Sequence, residues 1–275
     1  RASEHLAVHV EGSTRDANDY EVHGFDTLRV DGTFAESHNG SLLLEPWDIA
    51  TLQGNPYKVF TPFWRNALTR LQVPAPVPPP ARLPAHAVQG VALDALQLAA
   101  PLPWDAQFWD HWQPGEAGAH EALTVFIDGA LNGYRQQRDL PDRVGTSLLS
   151  PHLHFGEIAP WQIVRRLQDE RSASRDADID GYIRELGWRE FSYHLLHHFP
   201  QTPDHNLNPR FDWFRWAPPN ATQLQAWQQG RTGIPIIDAG MRELWATGWM
   251  HNRVRMIVGS YLTKHMRAHW LEGAR

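Results

Sequence analysis

Six of the eleven residues between Pro74 and Pro84 are proline. Such a run has fixed φ angles and few backbone donors, so it suits neither a helix nor a central strand. It favours extended polyproline geometry. The chain must therefore fold as two pieces joined by a stiff connection. We read 1–66 as the rear part of one domain, 67–116 as a linker lying along a surface, and 117–275 as a second domain.

The two pieces carry different patterns. In the first, Leu6–Val10, Leu42–Leu44 and Val59–Phe60 are short apolar runs suited to buried strands. Asn39-Gly40 and Gly54-Asn55-Pro56 are turn signals. This predicts an α/β domain, of which the front is expected to be missing, since the chain starts at Arg1 without an initiator Met or signal pattern. The second piece has helical periodicity. Helices are predicted over Ala119–Tyr134, Ile158–Gln168, Tyr182–Phe199, Asp238–Ala246 and Trp249–His269.

Charge is unevenly spread. Residues 1–60 hold 4 basic and 10 acidic side chains, whereas 181–275 hold 11 basic and 7 acidic ones, together with 7 of the 13 Trp. Basic groups interleaved with aromatics suit a polyanion with flat bases. The chain has no Cys, which excludes disulfides, thiol nucleophiles and Cys-ligated zinc. No apolar stretch is long enough to span a membrane.

Three segments could carry chemistry. Tyr134 is followed by Arg138-Asp139 and then by Gly145–Pro151, where Thr146, Ser147 and Ser150 offer hydroxyls in a Gly-led turn, a possible phosphate cradle or a plain N-cap. On a helix, Glu185, Trp188 and Arg189 share one face, which fits either a pocket wall or a solvated Glu–Arg pair. Asn252 and Met256 are one turn apart, an amide and a thioether suited to a planar heterocycle or to an ordinary amphipathic helix. The His152/His154 pair and the His194, His197, His198 group have metal-like spacing. Without Cys or an HExxH frame, no metal is expected.

Taken together, five stretches resemble the photolyase/cryptochrome family in its own order: 55–64, 145–157, 184–191, 227–238 and 248–256. The resemblance is strongest to cyclobutane pyrimidine dimer (CPD) photolyases of class I. It implies a Rossmann-like α/β antenna domain followed by a predominantly all-α FAD-binding domain, here incomplete at both ends. It implies FAD held by Tyr134, Thr146, Ser147, Leu149, Ser150, Arg189, Trp249, Asn252 and Arg255. A second antenna chromophore, of folate or deazaflavin type, is implied for the whole protein.

The resemblance further implies light-driven repair of UV-damaged DNA by a monomeric, cytoplasmic, bacterial enzyme. Glu185, Trp188, Asn252 and Met256 would face the flipped lesion, with Glu185 as a protonated carboxyl. Arg253 would meet its phosphate. Trp216 and Trp270 would be the outer and middle members of an electron-transfer chain. Leu148 stands where many relatives have Arg or Gly. Further flavin contacts and an innermost Trp are expected beyond position 275, so residues 1–275 alone are expected to bind FAD weakly and to be inactive. A cryptochrome photoreceptor is the alternative. A (6-4) photolyase fits less well, because Met at position 256 cannot transfer a proton.

Overall fold

The computed structural model describes residues 28–30, 33–35, 39–75, 81, 90–98, 103–218 and 220–274. Among these, strands occur only as β1 (Leu28–Val30) and β2 (Thr33–Ala35), an antiparallel pair with Arg29 opposite Phe34. The Leu6–Val10 run and most of the Pro-rich segment lie outside the described residues. The rest is helical: α1 (Phe60–Arg70), α2 (Glu116–Asp128), α3 (Tyr134–Gln137), α4 (Ser150–His154), α5 (Pro160–Asp169), α6 (Asp176–His198), α7 (Ala221–Gln228), α8 (Pro235–Thr247), α9 (Asn252–Ser260) and α10 (Leu271–Ala274).

The centre is α6. Its buried residues Ile179, Tyr182, Ile183, Leu186, Gly187, Glu190, Phe191 and His194 recur at steps of three and one, the stripe of a helix with one face in the core. Asp176 and Asp178 in its first turn complement the helix dipole. Asp178 also accepts from the Gly133 and Arg135 N–H groups, tying α3 to the start of α6. At Gly187 a Cβ would fall 2.6 Å from the Trp64 ring, so the bare backbone lets α1 pack close.

Two apolar clusters result. The larger joins α1, α2, α5 and α6 through residues such as Phe63, Phe126, Ile163 and Leu186. The smaller joins α7, α8 and α9 through Trp227, Met241, Val254 and Val258. In the smaller one, a Cβ on Gly240 would fall 2.3 Å from Val254 Cγ1. No helix among the described residues is long and apolar enough to cross a membrane.

Several expected elements differ. Leu42–Leu44 is not a strand; the Leu43 and Leu44 N–H groups donate to the buried Glu190 carboxylate at 2.8 and 3.2 Å instead of to a neighbouring strand. Val59 is extended, but Phe60 already starts α1, which crosses the expected domain border at 66 and ends at Arg70. The linker region also holds short 3-10 turns at Leu93–Leu96 and Ala106–Asp110. The helix expected over Ala119–Tyr134 stops at Asp128, where Gly129 and then Gly133 at φ 81 turn the chain into α3. The one expected over Trp249–His269 begins only at Asn252. Gly248 at φ 73 closes α8 first, and the far end widens into a π turn at Tyr261–His265.

Candidate functional site

Where the two clusters meet, α3, the 146–150 turn and α6 face Trp249, Met250 and α9 across a hollow of about 490 Å³. All nine residues expected to hold the cofactor line it: Tyr134, Thr146, Ser147, Leu149, Ser150, Arg189, Trp249, Asn252 and Arg255. Glu185 lines it as well.

Its floor is aromatic and aliphatic. Tyr134 and Leu149 are buried, and Tyr134 meets Tyr182 edge to face at 5.3 Å. Tyr182 donates to Ser147 Oγ at 2.7 Å, which fixes the turn. Burial pushes the Tyr182 phenol up to about 12, with the Ser147 bond pulling the other way, and drives Tyr134 well above its ordinary range. Both rings stay neutral at physiological pH. Leu148 follows this turn at φ 56, a left-handed conformation that disfavours an L side chain by about 1–2 kcal/mol.

Its rim is cationic. Arg138 stacks over Tyr134 at 5.3 Å and pairs with Glu185. Arg189 donates to the Ser41 carbonyl at 2.6 Å and to the Leu153 carbonyl at 3.3 Å, with its guanidinium over Tyr193. Arg255 reaches the Met250 carbonyl at 3.5 Å. His251 caps α9 by accepting from the Arg253 N–H, and its buried Nε2 has no partner among the described residues.

Three expected placements are corrected. Trp188 does not line the hollow. It leans towards α1 and stacks on Phe60 with ring centroids 3.7 Å apart, leaving it 44% exposed. Met256 lines a different groove, with Tyr261 and Ile234, and touches Arg253 Nη1 at 3.6 Å. Glu185 is engaged by Arg138, so it is not a free carboxyl. Arg253 makes a two-pronged pair with Asp139, 2.8 Å in each branch. Trp216 and Trp270 lie apart from the hollow's lining with His269 between them, at 5.1 and 5.6 Å. Trp270 donates to Asn206 Oδ1.

Arg138, Asp139 and Tyr182 also line the hollow but had no assigned role. Tyr182 lies three residues before Glu185 on α6, and that spacing could have found it. Three guanidiniums and three hydroxyls, with buried aromatic and aliphatic walls, fit a ligand joining a flat ring system to an anionic diphosphate.

The chain belongs to the photolyase/cryptochrome family. Residues 8–81 match the family model described as DNA photolyase, and residues 182–275 match the FAD binding domain of DNA photolyase. A deoxyribodipyrimidine photo-lyase from Agrobacterium fabrum is 45% identical over 90% of this chain and 52% of its own length. Cryptochrome-2 of Arabidopsis thaliana is 36% identical over 89% of this chain and 42% of its own. Among solved structures, a bacterial class III photolyase from Agrobacterium tumefaciens superposes with a TM-score of 0.79 at 46% identity, covering 88% of this chain and 51% of that one. The chain thus spans about half the length of the relatives it matches. The class III relative stands beside the class I likeness read from the motifs.

Proposed function

We propose that this chain forms the cofactor-holding part of a light-driven DNA repair enzyme, a deoxyribodipyrimidine photo-lyase acting on cyclobutane pyrimidine dimers. The observation that best supports this reading is the hollow, which gathers Arg138, Arg189 and Arg255, the hydroxyls of Thr146, Ser147 and Ser150, and the polar ends of Glu185 and Asn252 in one lining. Reduced FAD, when bound and excited by light, supplies a single electron to the dimer.

The chain's residues divide the remaining work. The guanidiniums offset the diphosphate charge, and the Thr146 and Ser147 hydroxyls orient it. Tyr134, Leu149 and Tyr182 exclude water and lower the local dielectric, which strengthens each polar contact. The Asn252 amide donates to or accepts from the edge of a flat ring. Glu185, held by Arg138, presents its carboxylate to the lesion. The lesion's bases must leave the duplex to reach the hollow. Trp188, stacked on Phe60, and Met256, in the neighbouring groove, lie outside the hollow and take no part in this division. Arg253 offers its guanidinium to a DNA phosphate. Trp216 and Trp270, with His269 between, form an electron relay. The front domain takes the Rossmann-like α/β form and carries the antenna chromophore.

The test uses the whole protein containing this chain, UV-damaged oligonucleotide, and blue light against darkness. Repair is expected only in light, and Glu185→Ala should lower its rate by about 10–100-fold. Equal repair in darkness, or full activity in the variant, would refute the reading. Light-dependent flavin reduction without repair would favour the cryptochrome alternative.

A further inference from the structure

Residues 146–148 are a partition with a hollow on each side. Thr146, Ser147 and Leu148 line the first site and also a second hollow of about 370 Å³, walled by α2, His152 and the turn at Trp112. Its size is that of a small-molecule pocket, roughly 300–1,000 Å³.

The two hollows differ in chemistry. Arg138, Arg189 and Arg255 line the first, whereas among the described residues no Lys or Arg lines the second. Its polar groups mix the neutral amide and hydroxyls of Gln113, Thr146 and Ser147 with two acceptors. Glu121 lines one side, and the imidazole of His152, only 4% exposed, lines another. His152 Nδ1–H donates to the Glu157 carboxylate at 2.5 Å. In the neutral ring that bond leaves Nε2 as the acceptor, and Nε2 makes no hydrogen bond among the described residues. Trp112 gives its indole N–H to the Thr247 carbonyl at 2.6 Å, so only its ring surface is left for a ligand. Val125 and Val144, 66% and 80% exposed, make an apolar rim.

We propose that this second hollow binds a flat, uncharged heterocycle donating from amino and ring N–H groups, a nucleobase without its phosphate. Apolar walls take the ring faces, and His152 Nε2 and Glu121 take the donors. An anionic ligand meets no Lys or Arg among the described lining residues. This inference is independent of the repair reading and is read without FAD, light or damaged DNA.

The experiment is ligand-observed NMR with adenine, and with AMP for comparison, on the 275-residue chain. Adenine should bind, and AMP about ten-fold more weakly. Val125→Trp and Val144→Trp place a ring in the rim at exposed positions. Each should weaken adenine binding about ten-fold, with an unchanged circular-dichroism melt showing that the fold is intact. Asn252→Trp fills the first hollow instead and should leave adenine binding intact. Absent adenine binding, AMP binding more tightly than adenine, or loss in Asn252→Trp with retention in both rim variants would each overturn the proposal.

Discussion

Glu190 and His194, one turn apart on α6, grip the same incoming segment by its main chain. The carboxylate accepts from the Leu43 and Leu44 N–H groups. The imidazole accepts from the Tyr57 N–H at 3.0 Å, and its other nitrogen faces the Pro46 carbonyl at 3.1 Å. Both side chains are buried, and neither lines the candidate cofactor site. The neighbouring Arg189, however, both lines that site and binds the Ser41 carbonyl. The segment and the hollow therefore share one helix.

Burial raises the Glu190 carboxyl from 4.5 to about 7, against the pull of the Leu44 and Leu43 N–H groups and Arg189. The unfolded chain releases this proton first, so the group's stabilising contribution is full at low pH and is lost as pH rises from about 4.5 to 7. Urea midpoints of the natural chain and Glu190→Gln should be compared at pH 5 and pH 8. The natural chain should lose up to about 3 kcal/mol relative to the variant on going to pH 8. A constant difference would contradict the assignment.

His194 has the opposite sign. Burial lowers it from 6.5 to about 4, so the unfolded chain takes up a proton that the fold refuses, and stability falls as pH drops between those values. An imidazole NMR titration should show His194 neutral down to about pH 4. His194→Leu should remove this acid sensitivity and cost about 1–3 kcal/mol at neutral pH by orphaning the Tyr57 N–H.

Asp139 competes with DNA for Arg253 under the proposed function. The pair is nearly half exposed on both sides, so Asp139→Asn should change stability by less than about 1 kcal/mol. Freed of its partner, Arg253 should raise affinity for damaged oligonucleotide about 2–5-fold at low salt and steepen the salt dependence. Fluorescence anisotropy over a salt series would measure both; weaker binding would count against a phosphate role for Arg253.

Two helical glycines should respond in opposite directions. Gly187→Ala drives a methyl into the Trp64 ring and should destabilise by about 1–3 kcal/mol. Gly259 in α9 has open space around it, with no atom within 4 Å of where a Cβ would stand, so Gly259→Ala should stabilise by about 0.5–1 kcal/mol. Thermal melts of both variants decide the matter.

The helices were legible because their apolar stripes are local, as the steps along α6 show. The grouping of residues around the hollow was legible for a related reason. Its wall comes from compact segments, 146–150 and 249–255, whose members travel together. What local pattern could not reveal was the identity of distant partners. Leu42–Leu44 looks like a strand until Glu190, about 147 positions away, takes its donors. Helical spacing put Trp188 in a row with Glu185 but could not show that Phe60 on α1 would capture the indole. Likewise, the i, i+4 relation of Asn252 and Met256 left open how the helix is rotated, and Met256 turns to the next groove.

The buried polar contacts of Glu190 and His194 with residues 43–57 are made on main-chain atoms: three amide hydrogens and a carbonyl oxygen. Every amino acid except proline supplies the same amide group. Solvent-facing side chains along that stretch can therefore be exchanged in an engineered chimera without disturbing these bonds, provided no proline enters at 43, 44 or 57, while a change at position 190 or 194 would weaken the attachment whatever the segment's own sequence.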